Sequence, residues 1–455
     1  MTNRETRIDE RGHLTIDQGQ RRRAVAWLGL GVTALALAGI FAILLVVARA
    51  PGTSDLFPTQ DFFRVALIVH VDESVLIWFL AFAGLLWSLK EGVSPVLSHS
   101  AYLIAAAGCL LVAAAPFLGA TDPLLNNYVP VLNHPIFLVA LALFATGVLI
   151  QMVAYLPQGL RSISWSSPLA VGTATTAIAT LAAALTLVWT WLELSDTWTG
   201  KAYYEYLFWG AGHILQFVYT QLMLVAWLWL MRACGRPLGI SPRWISAILL
   251  LGIVPLLAIP FVLGIHSPDA PETRLAFVQL MQWGNGLAAV PIGVLVVLSL
   301  LRHRGEPLPD GREPVYLALV WSLLLFAAGG LLGALIAGVN TIIPAHYHGS
   351  IVGVTLALMG LAYHLLPELG FGRPTGRMTR LQPILYGVGQ LVHISGLAAS
   401  GALGIQRKTA GAAQGLEGFW PKAFMGVMGL GGLLAVVGGI LFVLVVLRAV
   451  MRRSV

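Results

Sequence analysis

The stretch "PAHYHGS", residues Pro344–Ser350, places two histidines two positions apart at the start of a long apolar run. On an α-helix each residue turns by about 100°, so His346 and His348 point about 200° apart. Two ligands for one metal ion need a spacing of three or four residues, because only those side chains are neighbours on a helix. The pair therefore indicates a helix that presents one imidazole on each of two opposite sides.

The rest of the chain is mostly apolar. Of its 455 residues, 58% are hydrophobic and 10% are charged, and the mean hydropathy is strongly positive. This composition is typical of an integral membrane protein and excludes an ordinary water-soluble domain. The net charge of +7 falls in short loops between apolar runs. We therefore expect a lipid bilayer as a partner and no nucleic acid.

The two cysteines, Cys109 and Cys234, lie far apart in sequence, and no Cys-x-x-Cys-His motif occurs. Covalent attachment of a c-type haem is therefore excluded. Any cytochrome c that serves this chain has to be a separate protein.

Apolar runs of roughly 20 residues or more predict twelve membrane-spanning helices, because helices satisfy the backbone in lipid. We number them spans 1 to 12. Their predicted bounds are about 24–50, 60–90, 98–119, 134–157, 168–194, 203–233, 243–266, 272–302, 315–340, 342–369, 381–406 and 421–450. The sequence thus predicts an all-α integral membrane protein, with a membrane domain over 24–450 between tails 1–23 and 451–455.

The basic residues in the loops predict the orientation. They concentrate on one side of the membrane, which the positive-inside rule makes cytoplasmic together with both termini. This set comprises Arg21, Arg22, Arg23, Lys90, Arg161, Arg232, Arg236, Arg243, Arg302, Arg304, Arg312, Arg373, Arg377, Arg380, Arg452 and Arg453. The outer loop "GIQRKTAGAAQGLEGFW" is an exception and needs its own explanation. The pattern suits a bacterial inner membrane.

Five histidines are predicted in the outer half of the membrane, from four spans: His70 in span 2, His213 in span 6, His266 in span 7, and His346 and His348 in span 10. A single one could equally be a histidine hydrogen-bonded to a neighbouring helix. Five at a shared depth indicate a functional site, because polar side chains are costly in lipid. His364 and His393 are predicted to lie deeper, and we interpret them as structural.

Haem chemistry explains this arrangement. A haem held by two axial imidazoles passes electrons, whereas a haem held by one keeps an open position for a small ligand. His70 is the natural partner of the histidine pair across a first haem. His213 and His266 are then expected to bind another metal, facing the open side of a second haem.

These residues resemble the large subunit of the haem-copper oxidase superfamily, which includes cytochrome c oxidases and nitric oxide reductases. The resemblance covers essentially the whole chain. "VALIVHVDESVLIWFLAF" resembles the family's helix 2, and "AHYHGSIVGVTLALMGLAYHLLPELG" resembles its helix 10. It implies a twelve-helix transmembrane bundle of the subunit I type with two haems. His70 and His348 would hold the low-spin haem, and His346 the high-spin haem.

The segment "QLVHISGLAASGALGIQRKTAG" resembles the family's helix 11, which ends in two basic residues that hold haem propionates. Arg407 and Lys408 match those residues. Their role would explain the exceptional positive charges in an outer loop.

The second metal is copper in the family's oxidases and non-haem iron in its nitric oxide reductases. "WGAGHILQFVYT" resembles the helix that supplies one ligand, matched by His213. "FVLGIHSPDAP" resembles the segment where the family has two adjacent histidines, but here His266 is followed by Ser267. Three alternatives stay open: two imidazoles binding copper weakly, Asp269 or Glu272 completing a harder site that favours iron, or an empty site.

Several residues differ from those of the oxidases, and these differences bear on which gas is the substrate. The resemblance implies that dioxygen reduction needs a tyrosine four residues after the ligand histidine, where this chain has Phe217. Nitric oxide reductases place a glutamate near that site, and the nearest polar groups here are Gln216 and Tyr219. In "NGLAAVPIGVLVV", Leu295 matches the position of a proton-channel lysine, and Ile292 that of a threonine. These differences favour nitric oxide reduction without proton pumping.

Protons could instead come from the outer face. Asp72 and Glu73 follow His70 within span 2. We expect a proton-relay role, in which Glu73 takes part in catalysis, a role beside the haem propionates, or an interhelical hydrogen bond.

We expect a haem-containing membrane oxidoreductase that reduces a diatomic gas, nitric oxide to nitrous oxide more than dioxygen. One alternative is a terminal oxidase that reduces dioxygen. Another is a non-catalytic dihaem protein that senses a gas, carries it or conducts electrons. No stretch of the sequence resembles an electron-entry domain, so the electron donor is expected to be a cytochrome c, a cupredoxin-bearing subunit or quinol.

Overall fold

The structure, a computed structural model, describes residues 7–9, 12–49, 60–409, 414 and 416–452. The ends of both predicted tails, including Arg453, lie outside the described residues. The fifteen α-helices of the described chain are α1 (Gln18–Arg49), α2 (Gln60–Val71), α3 (Trp78–Ser88), α4 (Pro95–Ala114), α5 (Pro135–Arg161), α6 (Pro168–Glu193), α7 (Gly200–Ala233), α8 (Pro242–Leu251), α9 (Ile259–Ile265), α10 (Pro271–Gln279), α11 (Gly286–Arg302), α12 (Glu313–Ala334), α13 (Ile342–Glu368), α14 (Arg377–Ala402) and α15 (Phe419–Met451).

Shorter elements complete the described chain. Strands β1 (Arg7–Ile8) and β2 (Leu14–Thr15) form one antiparallel pair, and β3 (Pro123–Leu124) and β4 (Val131–Leu132) form another. Two π-helical segments, Asp72–Ile77 and Leu280–Gly284, join α2 to α3 and α10 to α11. Two 3₁₀ segments, Ala115–Leu118 and Val254–Ala258, follow α4 and α8.

The predicted all-α membrane fold is confirmed. Eleven helical stretches among the described residues are long and apolar enough to cross a membrane. Helix α14 corresponds to predicted span 11 and has 26 residues. It falls outside the eleven because it is more polar, beginning with Arg377 and Arg380 and carrying His393 in its interior.

Predicted and observed helix ends differ by six residues at two places. Helix α1 begins at Gln18, where the prediction was 24. Asp17 and Gln20 cap this end reciprocally: Gln20 N donates to Asp17 Oδ1 at 2.7 Å, and Asp17 N donates to Gln20 Oε1 at 2.8 Å. The cap supports a polar first turn that hydropathy does not register. Helix α12 ends at Ala334, where the prediction was 340.

The helices fall into two compact units, and each is described by itself. Unit 1 comprises the described residues of 1–34 and 71–306. Polar side chains link its helices inside the apolar core. Trp87 Nε1 donates to Thr176 Oγ1 at 3.0 Å, and Ser98 Oγ donates to Gln151 Oε1 at 2.7 Å. Such interhelical hydrogen bonds fix the orientation of neighbouring helices in lipid.

Unit 2 comprises the described residues of 35–70 and 307–455. Helix α12 packs on α13, and α14 packs on α15. At the start of α12, the buried Arg312 donates from Nη1 to Nδ1 of the fully buried His364 at 2.6 Å. This contact gives both buried side chains a hydrogen-bond partner in the core of unit 2.

Candidate functional site

The histidine pair lies near the start of α13, within unit 2. His346 Nδ1 donates to the carbonyl oxygen of Gly329 on α12 at 2.7 Å. The His348 ring instead packs edge-on against the ring of His393 on α14, with 4.9 Å between centroids. The two side chains therefore contact different helices, as their spacing on a helix predicts.

Glycines of α12 make room for His346. A Cβ atom added to Gly333 would lie 2.7 Å from His346 Nδ1, and one added to Gly329 would collide with Ser350. On α13, a Cβ added to Gly349 would lie 2.6 Å from the Cα of Gly329. Small residues allow such close helix crossings in membranes. This crossing brings the α12 backbone within hydrogen-bonding distance of the imidazole.

His70 is held in the same manner, also within unit 2. It lies one residue before the end of α2, and its Nδ1 donates to the Ala38 carbonyl oxygen of α1 at 2.9 Å. A carbonyl oxygen can only accept, so Nδ1 carries the proton in the neutral rings of both His70 and His346. Nε2 then carries the lone pair that a metal needs, and donation from the other nitrogen is typical of metal-ligating histidines.

His393 belongs to this part of the molecule, although the sequence interpretation left it aside as a structural residue. Its Nδ1 donates to the Met428 carbonyl oxygen of α15 at 2.9 Å, and its ring contacts His348. Helix α14 ends at Ala402, where the prediction was 406. His393 therefore lies about 6 Å closer to this end of the helix than predicted. Counting residues back from 402 instead of 406 would have shown how close His393 lies to this end of the helix.

Arg407 and Lys408 lie in the turn that follows α14. The turn is joined to the start of α13, because Thr341 N donates to the Ile405 carbonyl oxygen at 3.0 Å. Thr341 Oγ1 also donates to the Leu397 carbonyl oxygen at 2.9 Å. These bonds hold the basic pair beside the helix end that carries His346 and His348.

His213 lies in unit 1, fully buried on α7. Its Nδ1 donates to the Trp209 carbonyl oxygen at 2.6 Å. Its other nitrogen, Nε2, lies 2.7 Å from the hydroxyl of Tyr128, and the two rings are 4.4 Å apart between centroids. Sequence reasoning missed Tyr128, because it lies in the loop between β3 and β4 and no spacing rule connects it to α7.

The other predicted metal ligands of unit 1, His266 and Asp269, lie outside α7. His266 is the residue that caps the C-terminal end of α9. Asp269 Oδ2 accepts a hydrogen bond from Trp198 Nε1 at 2.9 Å. This bond, followed by one from Ser267, lowers the pKa of Asp269. Within the described residues, no three His, Cys, Asp or Glu side chains form a group that could hold a metal ion.

Phe217, four residues after His213, is fully buried on α7. A Cβ added to Gly284 would lie 3.3 Å from its ring. Tyr219, a candidate catalytic residue of the sequence analysis, is also buried and packs edge-on against Phe79 at 4.8 Å between centroids. Gln216 Nε2 makes a long hydrogen bond, 3.4 Å, to the Gly212 carbonyl oxygen of its own helix.

Asp72 and Glu73 begin the first π-helical segment and are fully buried in unit 1. Cys109 Sγ donates to Glu73 Oε2 at 3.4 Å. Within the described residues, both Asp72 oxygens and Glu73 Oε1 lack a hydrogen-bond partner. Buried carboxyl oxygens without partners are unusual in proteins, so this pair is a candidate for moving protons.

The donor set of unit 2 fits haem ligation, because His70 and His346 have their lone pairs fixed at Nε2 and both side chains are partly exposed. The residues predicted to hold the second metal do not fit a metal ion, because His213, His266 and Asp269 do not form a metal-binding group. The molecule is thus a helical membrane protein in which His70 and His346 each donate from Nδ1 to a backbone carbonyl oxygen.

A comparison with known protein families identifies the family of this chain. A family model described as "Cytochrome C and Quinol oxidase polypeptide I" matches residues 22–434. The chain belongs to this family, which is the large-subunit family of the haem-copper oxidases. It is therefore a membrane oxidoreductase of a family that uses haems and a second metal.

Two relatives and one solved structure extend this result. An uncharacterized protein of Rickettsia prowazekii (strain Madrid E) is 29% identical, over 95% of this chain and 96% of its own length. An uncharacterized protein of Aquifex aeolicus (strain VF5) is 29% identical, over 78% of this chain and 88% of its own. The cryo-EM structure of a heme-copper terminal oxidase dimer matches with a TM-score of 0.78 at 16% identity, covering 97% of this chain and 85% of the other. At that identity the match shows the fold.

Proposed function

We propose that this chain reduces nitric oxide to nitrous oxide in preference to dioxygen, without pumping protons. Two molecules of nitric oxide, two electrons and two protons give one nitrous oxide and one water. The electrons come from a cytochrome c, a cupredoxin-bearing subunit or quinol. We place the chain in a bacterial inner membrane with both termini in the cytoplasm and the haem-binding histidines near the outer face, as its basic loops indicate.

The observation that carries the proposal is the orientation of His346. Its Nδ1 donates to Gly329, which assigns the lone pair to Nε2. We assign His346 to a high-spin haem, and His70 with His348 to a low-spin haem. When bound, these haems would supply electron transfer and one open position for a diatomic gas. Arg407 and Lys408 would bind the propionates as charged hydrogen-bond donors.

The preference for nitric oxide rests on apolar residues where the oxidases use polar ones. Phe217 is buried and has no hydroxyl to give to dioxygen chemistry. On α11, Ile292 is fully buried and Leu295 is apolar. Neither residue can hand protons from the cytoplasm along that helix. Nitrous oxide formation consumes fewer protons and electrons than full reduction of dioxygen, so these losses are better tolerated.

We assign the proton supply to Asp72 and Glu73. Both are fully buried, and Glu73 accepts from Cys109 through Oε2, so that its Oε1 is available to take up a proton. A carboxyl group at that position can receive and release a proton without ionising a neighbouring residue. Glu73→Gln should slow proton-dependent turnover and leave the haem spectra unchanged.

A second candidate function is a dihaem protein without catalysis, which senses a gas, carries it or conducts electrons. The hydrogen bond between Tyr128 and His213 favours it, because that contact uses the nitrogen that would otherwise bind a metal. The two functions differ in metal content and in turnover.

The test is made on the full-length protein purified in detergent. Metal analysis, the carbon monoxide difference spectrum of the reduced protein, and consumption of nitric oxide and of dioxygen with an artificial donor are measured together. His346→Ala should remove both the carbon monoxide adduct and nitric oxide turnover. His99→Ala, at an exposed histidine outside the site, should keep both.

Each outcome separates the candidates. Nitrous oxide formation that exceeds dioxygen consumption supports the proposal. Faster dioxygen consumption would instead make the chain a terminal oxidase. Two haems with neither activity would leave the sensor, carrier or conduit.

A further inference from the structure

A cavity lies between the N-terminal parts of α1 and α4, within unit 1. Its volume is about 90 Å³, and the residues that line it include Arg22, Arg23, Trp27, Ser98 and Tyr102. A water molecule needs about 10–15 Å³ of such space, so the cavity has room for a group as large as a phosphate. None of these five residues has a role in the proposed function.

Two buried hydrogen-bond donors of this cavity have no acceptor. Trp27 is 1% exposed, and within the described residues neither its Nε1 nor the Nε of Arg23 has a hydrogen-bond partner. The indole is held in place, because a Cβ added to Gly84 of α3 would overlap its ring, and the Tyr102 ring packs edge-on to it at 6.4 Å between centroids. Buried polar groups are nearly always paired, and an exception requires a partner such as a water or an ion. A ligand oxygen would complete both contacts.

The charge of the cavity selects an anion. Arg22 and Arg23 supply two guanidinium groups, which bind phosphate through paired N–H donors. The carboxylate of Asp17 is near, since a Cβ added to Gly19 would lie 3.1 Å from Asp17 Oδ1 and 3.4 Å from Arg23 Nη1. Asp17 Oδ1 already accepts from Gln20 N at 2.7 Å. The five N–H donors of Arg23 exceed what one carboxylate can use, so donors are left for a second anion.

An apolar surface continues from the cavity along both helices. On α1, Gly29 is exposed, and a Cβ there would meet nothing within 4 Å among the described residues. On α4, Leu103 is 52% and Leu110 is 56% exposed. Trp27 and Tyr102 lie between the arginines and this surface, as aromatic residues do at a membrane interface. The order of the groups is that of a lipid, with a charged head followed by apolar chains.

We propose that this cavity binds a phosphate group, carried by an anionic phospholipid of the cytoplasmic leaflet. The phosphate oxygens accept from Arg22, Arg23 and Trp27 Nε1, and the acyl chains lie along Gly29 and Leu103. The lipid thereby joins α1 to α4. A zwitterionic lipid binds less well, because its own cation is repelled by the arginines. The inference goes beyond the proposed function and takes from it only the cytoplasmic position of the basic residues.

The test uses the full-length protein in detergent and a photoactivatable phosphatidylglycerol with a diazirine near the top of one acyl chain. After illumination and digestion, mass spectrometry locates the crosslinked peptides. Crosslinks should fall within 22–33 of α1 and 99–110 of α4. Unlabelled phosphatidylglycerol should compete at least about tenfold better than phosphatidylcholine, because two arginines act on the net charge of the lipid.

Variants assign the binding to the cavity. Arg23→Gln removes the charge and should raise the lipid concentration needed for crosslinking by at least about tenfold, because a charge-assisted hydrogen bond is lost. Arg21→Gln is the matched control, since it removes the same charge from the same part of α1 at an exposed residue that does not line the cavity. It should bind like the wild type. Trp27→Phe keeps an aromatic ring against Gly84 and removes the N–H, so it should weaken binding less than Arg23→Gln.

Competition on the wild-type protein decides the question even if the variants fail to fold. Inorganic phosphate that displaces the probe as well as phosphatidylglycerol does would make this a site for free phosphate and overturn the assignment to a lipid. Equal competition by phosphatidylglycerol and phosphatidylcholine would overturn the selectivity for an anionic lipid. Equal losses in Arg21→Gln and Arg23→Gln would overturn the assignment to the cavity. Gas turnover enters none of these measurements, so each result leaves the proposed function unaffected.

Discussion

His346 of unit 2 and His213 of unit 1 are held alike on one side of the ring and differently on the other. Each donates from Nδ1 to a backbone carbonyl oxygen, at 2.7 Å and 2.6 Å. His346 is partly exposed, whereas His213 is fully buried and its Nε2 accepts from Tyr128. The same backbone contact therefore sets the tautomer in both places, but only the surroundings decide what the second nitrogen meets.

The surroundings differ in kind. Around His346, glycines of α12 remove side-chain bulk beside the imidazole. Around His213, a strained loop adds an aromatic ring over it. The two imidazoles therefore differ in their surroundings, which leave space beside the ring of His346 and fill the space beside the ring of His213.

The largest effects are expected at the histidines of α13. His348→Ala should abolish the low-spin bis-histidine spectrum and leave the other haem, since it removes one of two axial ligands. His346→Ala should remove the haem that binds carbon monoxide. Optical and electron paramagnetic resonance spectra of the purified variants measure both. A low-spin signal that survives in His348→Ala would contradict the assignment and point to His393 as the ligand.

A smaller loss is expected from Gly333→Ala. The new Cβ would lie 2.7 Å from His346 Nδ1, so the imidazole has to move or rotate. Overpacking of this kind destabilises by about 1–3 kcal/mol. We expect reduced occupancy of the high-spin haem and a lower Tm. Gly330→Ala is the control on the same helix, because a Cβ there meets nothing within 4 Å; equal losses in both variants would reject the steric explanation.

Ser267→His tests unit 1 and should act more weakly. The change restores the family's adjacent pair of histidines at positions 266 and 267. If His266 corresponds to the first of that pair, a further imidazole should raise copper occupancy, which suits nitrogen ligands. Metal analysis after growth with copper measures the effect. Unchanged copper would show that the segment aligns differently with the family.

The smallest effect concerns pH. Hydrogen bonds from Trp198 and then Ser267 lower the pKa of Asp269 below its ordinary value of 3.8. A carboxyl group whose folded pKa is lowered stabilises the protein above its unfolded pKa and loses this contribution as pH falls through the folded pKa. Asp269→Asn should therefore lower stability at neutral pH by less than about 1 kcal/mol, because the group is partly exposed. The difference in Tm from wild type should vanish in acid; a constant difference would mean that the charge plays no part.

The sequence predicted what periodicity controls. Hydropathy located the helices, and the spacing of His346 and His348 predicted that they face different sides of their helix, which agrees with their contacts to α12 and α14. Sequence patterns did not reveal residues that contact the candidate site from loops, because loops have no periodic pattern. Tyr128 contacts His213 from a loop. Glu205 holds this loop through Asn127, and Gly212 leaves room for the tyrosine, although Glu205 and Gly212 are far from Tyr128 in sequence.

The second-metal ligands show a different limit. Matching His266 and Asp269 to family positions used residue type and order alone. The structure shows that Asp269 already has a hydrogen-bond donor in Trp198, 71 residues earlier in the chain. Competition between possible partners of one side chain depends on the three-dimensional neighbourhood, which no motif contains.

The π-helical segment Asp72–Ile77 has a consequence for evolutionary comparison. A π-turn accommodates one residue more than an α-turn over the same length of helix. A relative that lacks this wide turn would therefore align with a one-residue gap between His70 and Trp78. Ungapped motif searches across span 2 would then shift every downstream position by one, so the buried Asp72–Glu73 pair would be overlooked in some relatives and wrongly assigned in others.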